Sequence, residues 1–332
     1  MGIIISLVFL TLLVVNVDLS ASLRVLTRLD VHHLLIPFIL SIFALLCRPW
    51  RWQIIFTASA RPRYGSCFKV HSISLMSNNL LPIRGGDMLR CFLIAREKPF
   101  PGLSVSIASL VLEKLLDGLA LLVIVLTTFM FITPPQWLAR LAMIAGLIFG
   151  STLFLLICLR ILPHRIQTMV QYSVHWIPLK GLKARIVAIF QRFSGGLTGI
   201  RSLPQLGALL ILTGFTWVTE AAIFWAMAPV LNISLSIPAA FVISAVLGLG
   251  LMIPAGPAFI GSYEFFIVST MGLFGIESEV ALALALVLHA WVIVITTGIG
   301  FAVMGGSGIQ LFHLSSTKYE KHNNSETDIR SN

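Results

Sequence analysis

A chain of 332 residues that is 57% hydrophobic and only 11% charged has too little polar surface to cover a soluble core. Soluble domains carry roughly 25% charged residues. The formal net charge of +10 comes from Lys and Arg set between apolar runs, with no stripe of interleaved aromatics, which excludes nucleic-acid binding and reads as a membrane orientation signal. With a mean hydropathy of +0.96 and apolar runs recurring along the chain, the fold class is an all-α polytopic integral membrane helical bundle of about eight membrane segments with interrupted, re-entrant helices.

The first run, IIISLVFLTLLVVNV, predicts a membrane helix over 3–19. It has no basic start, and SASLRV is a poor cleavage site, so a retained helix is expected rather than a secretory signal. Further membrane segments are predicted at 34–47, 104–132, 141–159, 206–228, 238–253, 257–274 and 280–304, with an interrupted segment at 71–97. Loop 48–70 carries Arg48, Arg51, Arg61, Arg63 and Lys69 and no acid; loop 160–203 carries seven Lys or Arg and no acid. Both are expected on the cytoplasmic side of the cell inner (plasma) membrane, which puts both chain ends there too.

Within 160–203, Leu182, Ile186, Ile189, Phe190 and Phe193 form a helical stripe, and Ile166, Met169, Val170, Ser173, Val174 and Ile177 a second. These read either as amphipathic helices on an anionic leaflet or as helices packed beneath the bundle. Residues 1–314 form one transmembrane domain, and the polar, Ser/Asn-rich 315–332 reads as a disordered tail. Cys47, Cys67, Cys91 and Cys158 make no C-x-x-C pair, so no disulfide framework or metal site is expected.

Two stretches break their helices. In SLMSNNLLPIRGGDMLRCFLI, Pro82 removes a donor, Gly85 and Gly86 permit tight geometry, and a helix restarts at Asp87. A helix N-terminus flanked by Arg84 and Arg90 is a candidate anion site. The plainer reading is an interfacial loop with Asp87 as a cap. In LGLGLMIPAGPAFIGSYEFF, the breaks are Pro254, Gly256, Pro257 and Gly261, with Ser262 expected to cap a new helix and Glu264 in its first turn. Paired broken segments point to a substrate site between structural repeats.

Ionisable residues lie inside apolar runs. Glu113, Lys114 and Asp117 sit on one helix, where Lys114 is expected to pair with Asp117. They form either a cavity-facing polar path or the cytoplasmic start of a long helix. Glu220 and His289 stand alone in apolar helices, as packing residues or proton sites. No nucleotide-binding loop, H-E-x-x-H or G-x-S-x-G motif is present.

NNLLPIRGGDMLR followed by VLEKLLDG resembles the first signature of the lysylphosphatidylglycerol synthase transmembrane region, the flippase-like integral membrane family. That signature reads N-x-x-L-P-x-R-x-G-E-x-x-R, then E-R-x-x-D. IPAGPAFIGSYE resembles the second, Pro/Gly-rich signature ending in Glu. Asp87 stands where Glu is usual, and Lys114 where Arg is usual, which gives up bidentate geometry.

The resemblance implies the lipid-translocation half of the bifunctional synthases, without the aminoacylating domain. The expected activity is movement of an anionic or zwitterionic phospholipid or lipid-linked precursor between leaflets, not enzymatic catalysis. Asn79, Arg84, Gly86, Asp87, Arg90 and Glu264 would bind substrate, and Glu113, Lys114, Asp117, Glu220 and His289 would form a polar path. No cofactor or metal is implied. The partners are membrane lipids, with envelope lipid-synthesis enzymes as further candidates. The alternatives are a membrane-embedded enzyme acting on a lipid phosphate or lipid-linked sugar, and an assembly partner in envelope lipid synthesis.

Overall fold

The computed structural model describes residues 2–27, 29–56, 60–81, 85–162, 202–253 and 255–307, with short pieces between 165 and 195. Its described residues form helices joined by turns, an all-α polytopic membrane bundle. The expected amphipathic stripes within 160–203 fall largely outside the described residues, and the tail 315–332 falls wholly outside them.

Helix α1 (Gly2–Asn16) stops three residues short of the expected 19. The Asp18 carboxylate accepts the Ser20 and Ala21 N–H groups and so caps a new helix, α2 (Leu19–Leu26), which turns away by 87°. Helix α3 (Leu35–Ile55) corrects the sequence reading more deeply. It was expected to end at 47, with Arg48 and Arg51 in a cytoplasmic loop. Instead the helix continues through both arginines, and Arg51 is 2% exposed. Carboxylates from other helices offset these charges, so they need no water.

Helices α4 (Tyr64–Leu80) and α5 (Gly85–Ile94) form the interrupted segment. They fold back on each other as a hairpin. Gly86 lies against Ser74 and Asn78, Arg90 against His71, and Glu97 against Ser66 and Lys69, so partners descend along α4 as they ascend along α5. At the base, the Lys69 ammonium and then the Ser66 hydroxyl hold the Glu97 carboxyl below its ordinary range. The chain therefore returns to the side it left, and Arg61, Arg63, Lys69, Arg96 and Lys98 gather at that end.

Helices α6 (Leu103–Thr128) and α7 (Gln136–Ile161) are 26 residues each, about 39 Å long, enough to span a ~30 Å hydrocarbon core. They meet where Gly118 admits the Phe149 ring. Helix α8 (Leu203–Met227) starts at Ser202, whose hydroxyl accepts the Gln205 N–H.

Helix α9 (Ile237–Gly250) has 14 residues, about 21 Å, too short to cross alone. Helix α10 (Ser262–Met271) has only 10. They pack side by side, with Gly250 against the Phe266 ring. Segments 238–253 and 257–274 are expected as two separate crossings; Pro257–Phe274 as a whole is long and apolar enough for one, while α9 is shorter, and the two flank the second break as a broken pair. A hairpin and two crossings both return the chain to the side it left, so the parity of the expected topology is unchanged.

Helix α11 (Ser278–Ser307), about 45 Å long, acts as a ruler for both breaks. Asn79, at the end of α4, donates to Thr296 and Thr297 at 2.9 Å each. The Ala258 carbonyl, in the second break, meets His289 at 2.6 Å. Both interruptions therefore face the central part of α11. Backbone at that depth survives only where protein or a cavity satisfies it. The core centres on α9, where Ala239, Ala240, Ile243, Ala245 and Val246 are almost fully buried among α6, α8 and α10.

Candidate functional site

Between the two broken pairs lies a cavity of about 210 Å³. Its wall carries Arg48, Arg51, Arg90 and Lys114 against Asp87, Glu113, Asp117 and Glu220. Four cations thus face four carboxylates, formally balanced, inside a largely apolar bundle.

Helix geometry explains the placement. Arg48 and Arg51 are three apart on α3 and face the cavity together. Glu113 and Asp117 are four apart on α6 and share a face. Arg51 donates to Asp117 at 2.9 Å, to Glu113 at 3.5 Å and to the Thr213 hydroxyl at 3.2 Å. Trp217 donates its indole N–H to Asp117 at 3.2 Å. Arg48 pairs with Glu220. Arg90 lies 3.0 Å from Glu113, 4.0 Å from Asp87 and over the Trp52 ring at 4.7 Å. Lys114 closes the chain on Asp87 at 3.1 Å. The expected Lys114–Asp117 pair is therefore corrected: Lys114 turns to the hairpin, and Asp117 takes Arg51. Arg48 is likewise the partner that makes Glu220 no longer solitary.

The remaining polar atoms are informative. Arg48 Nε, Arg51 Nε and Arg90 Nε are buried with no hydrogen-bond partner in the protein. His71 Nδ1 faces Arg90 Nη1 at 3.1 Å. Arginine can only donate, so Nδ1 accepts and the neutral ring carries its proton on Nε2, which also has no partner. These four donors belong to side chains of the cavity wall but are themselves buried among protein atoms; Asn78 Oδ1 is a buried acceptor likewise without a partner, whereas Glu113 Oε2 takes Arg90 Nη2 at 3.0 Å. A wall that holds three arginines and a lysine suits a ligand rich in acceptor oxygens. Among the described residues, no group of three or more His, Cys, Asp or Glu side chains is placed to share a metal ion.

The structure thus brings together Asp87, Arg90, Glu113, Lys114, Asp117 and Glu220 of the expected site. Arg84, Pro82 and Pro254 lie outside the described residues. Gly86 contributes a close helix contact: a Cβ there would lie 2.1 Å from the Ser74 carbonyl oxygen. Asn79 points to α11, while Asn78 lines the cavity and donates to Asp87 at 3.4 Å. Counting back from Pro82 through N-x-x-L-P also lands on Asn78, so the motif's spacing carried this correction. Arg48, Arg51 and His71 were not among the expected site residues. Charge balance was the available signal: Glu113, Asp117, Glu220 and Glu264 in the uninterrupted predicted spans had Lys114 as the one lysine or arginine among them, while Arg48 and Arg51 follow directly on an apolar run.

Glu264 and His289 stand apart from the cavity wall and clasp the second break. The Glu264 carboxylate accepts the Gly261 N–H at 2.8 Å and pairs with His289 Nδ1. His289 Nε2 donates to the Ala258 carbonyl at 2.6 Å, so one proton lies between Nδ1 and the carboxylate. Tyr263, which does line the cavity, stacks on the imidazole at 4.2 Å. Gly261, not Ser262, caps α10; the Ser262 hydroxyl donates to the Phe259 carbonyl instead. At φ 87°, with a virtual Cβ 2.7 Å from the Ser6 carbonyl, position 261 requires glycine twice over. The Gly256 N–H is tied to the Ser6 hydroxyl at 2.9 Å, which fastens this turn to α1.

Glu264→Leu is expected to cost about 2–3 kcal/mol by orphaning buried donors. Glu264→Gln, which can still donate to Nδ1 and accept from Gly261, should stay close to wild type. Thermal unfolding in detergent distinguishes the two, and equal losses would show that the carboxylate's charge is required.

The family model described as the lysylphosphatidylglycerol synthase TM region matches residues 1–300. Searches among curated proteins and among solved structures gave no match. The matched span includes both broken pairs and every described residue of the cavity wall. The chain belongs to the lysylphosphatidylglycerol synthase transmembrane-region family, and is therefore a multi-pass membrane protein of lipid metabolism or transport.

Proposed function

We propose that the protein moves a phosphate-bearing lipid, anionic or zwitterionic, between the leaflets of the cell inner membrane without altering it covalently. The observation that carries this reading is the charged cavity between two broken helix pairs, with three arginines and a lysine in its wall. In lipid, a headgroup phosphate needs both compensating charge and hydrogen-bond donors, and arginine supplies both. Carboxylates in the same wall keep the cavity neutral when it is empty and offer an acceptor to a headgroup amine or hydroxyl. The positive-inside rule supports placing the N-terminus and the basic loops in the cytoplasm, because Arg61, Arg63, Lys69, Arg96 and Lys98 gather at the base of the α4–α5 hairpin and the sequence 160–203 carries seven Lys or Arg and no acid.

The test is reconstitution in vesicles with labelled lipid followed between leaflets. Arg48→Gln/Lys114→Gln changes the two more exposed cavity cations, at 28% and 35% side-chain exposure, so the fold should hold. It is expected to slow movement roughly tenfold through lost charge-assisted contacts. Equal rates in variant and wild type would remove the phosphate site. A wild type no faster than protein-free vesicles would reject transport and favour an enzymatic or assembly role.

A further inference from the structure

A second, larger hollow adjoins the charged cavity. This apolar groove of about 520 Å³ is lined by α6, α7 and the turn that follows α9. Asp87, Lys114 and Met252 belong to both walls. Ile144 and Ile148 line the groove and are 52% and 55% exposed, so it opens at the apolar surface of the bundle. The Phe149 ring, seated on Gly118, fixes how closely α6 and α7 approach.

We propose that this groove holds a hydrocarbon chain of the same lipid whose headgroup occupies the charged cavity, making the α6–α7 face its lateral entry. The inference rests on the headgroup reading above. Three features commit the groove to a lipid chain. Its wall is hydrocarbon, it opens where lipid tails lie, and its one polar border is the ion pair shared with the headgroup cavity. A lipid's polar–apolar junction would sit at that border.

Lys114 is the most exposed of the cavity cations. Its apolar stem can lie along the groove while the ammonium turns to a phosphate. Asp87 keeps compensation when Lys114 turns, from Arg90 at 4.0 Å and from Asn78 at 3.4 Å. The pair therefore acts as a latch between chain and headgroup sites, opened by the phosphate that replaces Asp87.

The full-length protein in vesicles of phosphatidylethanolamine and phosphatidylglycerol provides the test, with a photoreactive diazirine on an acyl chain of the phosphatidylglycerol. Crosslinks are expected within 141–149 and 249–253. Ile148→Trp, at a half-exposed position, should reduce both those crosslinks and lipid movement roughly fivefold by filling the groove. Its thermal midpoint should match that of wild type, and Ile144→Trp provides a second variant. Crosslinks spread evenly along α7 as far as Phe154 and unchanged by either tryptophan would overturn the proposal. Glycerophosphoglycerol, the same headgroup without chains, should stabilise wild type and Ile148→Trp alike. Groove crosslinks without that stabilisation would sink the headgroup reading while supporting the groove as a chain site.

Discussion

Arg51→Leu is expected to destabilise the protein by about 3–5 kcal/mol, the range for removing one partner of a buried ion pair. Arg51 is 2% exposed and holds three helices together, reaching Asp117 and Glu113 on α6 and Thr213 on α8 from its place on α3. Its loss leaves the Asp117 carboxylate in the bundle with only the Trp217 indole N–H and more distant cations. Glu113 keeps Arg90 at 3.0 Å, so the damage concentrates on Asp117.

The double variant Arg51→Leu/Asp117→Leu should recover more than half of the lost stability, because apolar replacement of a whole buried pair is often neutral. Lipid movement should not recover with it, since the cavity would have lost two of its polar walls. Thermal unfolding in detergent and transfer in vesicles separate these outcomes. Recovery of both would make the pair a packing device. Recovery of neither would show that Arg51 acts mainly through Glu113 and Thr213.

Arg51 also marks the limit of what the sequence disclosed. The broken helices were legible because proline and glycine act locally and here they cluster: Pro82 stands beside Gly85 and Gly86, and Pro254, Gly256, Pro257 and Gly261 fall within eight residues, whereas the lone Pro49 is carried inside α3. The carboxylates of α6 stood out for the same reason, as charges in apolar runs. Pairing is different, because it depends on helices distant in sequence. Lys114 has Asp117 three residues away, yet its partner is Asp87 across a helix boundary. His289 meets Glu264 and Ala258 through a turn whose path includes Ala258 at φ 52°, a conformation that alanine rarely adopts. Arg48 and Arg51 were misplaced because the positive-inside rule counts arginines after an apolar run as loop residues. A carboxylate on another helix cancels that logic, and only a count of buried charge across the chain could have shown it.

Gly86→Ala tests how tightly the first hairpin must close, and its expected effect is of similar size. The adjacent glycines in IRGGD look interchangeable. Neither is among the residues with positive φ, so left-handed backbone explains neither. What separates them is their surroundings. A Cβ on Gly85 would lie 3.2 Å from the Leu81 Cβ and 3.3 Å from its Cδ1, a tight fit that a shift of a few tenths of an ångström relieves. A Cβ on Gly86 would lie 2.1 Å from the Ser74 carbonyl oxygen and 2.8 Å from the Asn78 backbone nitrogen, both fixed in α4. Since α4 is itself packed on α11, with Met76 and the Ser72 carbonyl close to Gly300, it has little room to withdraw. Gly86→Ala should therefore cost about 3 kcal/mol or more by overpacking, whereas Gly85→Ala should cost less than about 1 kcal/mol. Relaxation of the clash would push α5 outward, carrying Asp87 from Lys114 and Arg90 from Glu113 and opening the cavity wall. Slower lipid movement should accompany the drop in thermal midpoint for Gly86→Ala alone. Comparable midpoints for the two alanine variants would show that α5 does not press on α4 at this contact.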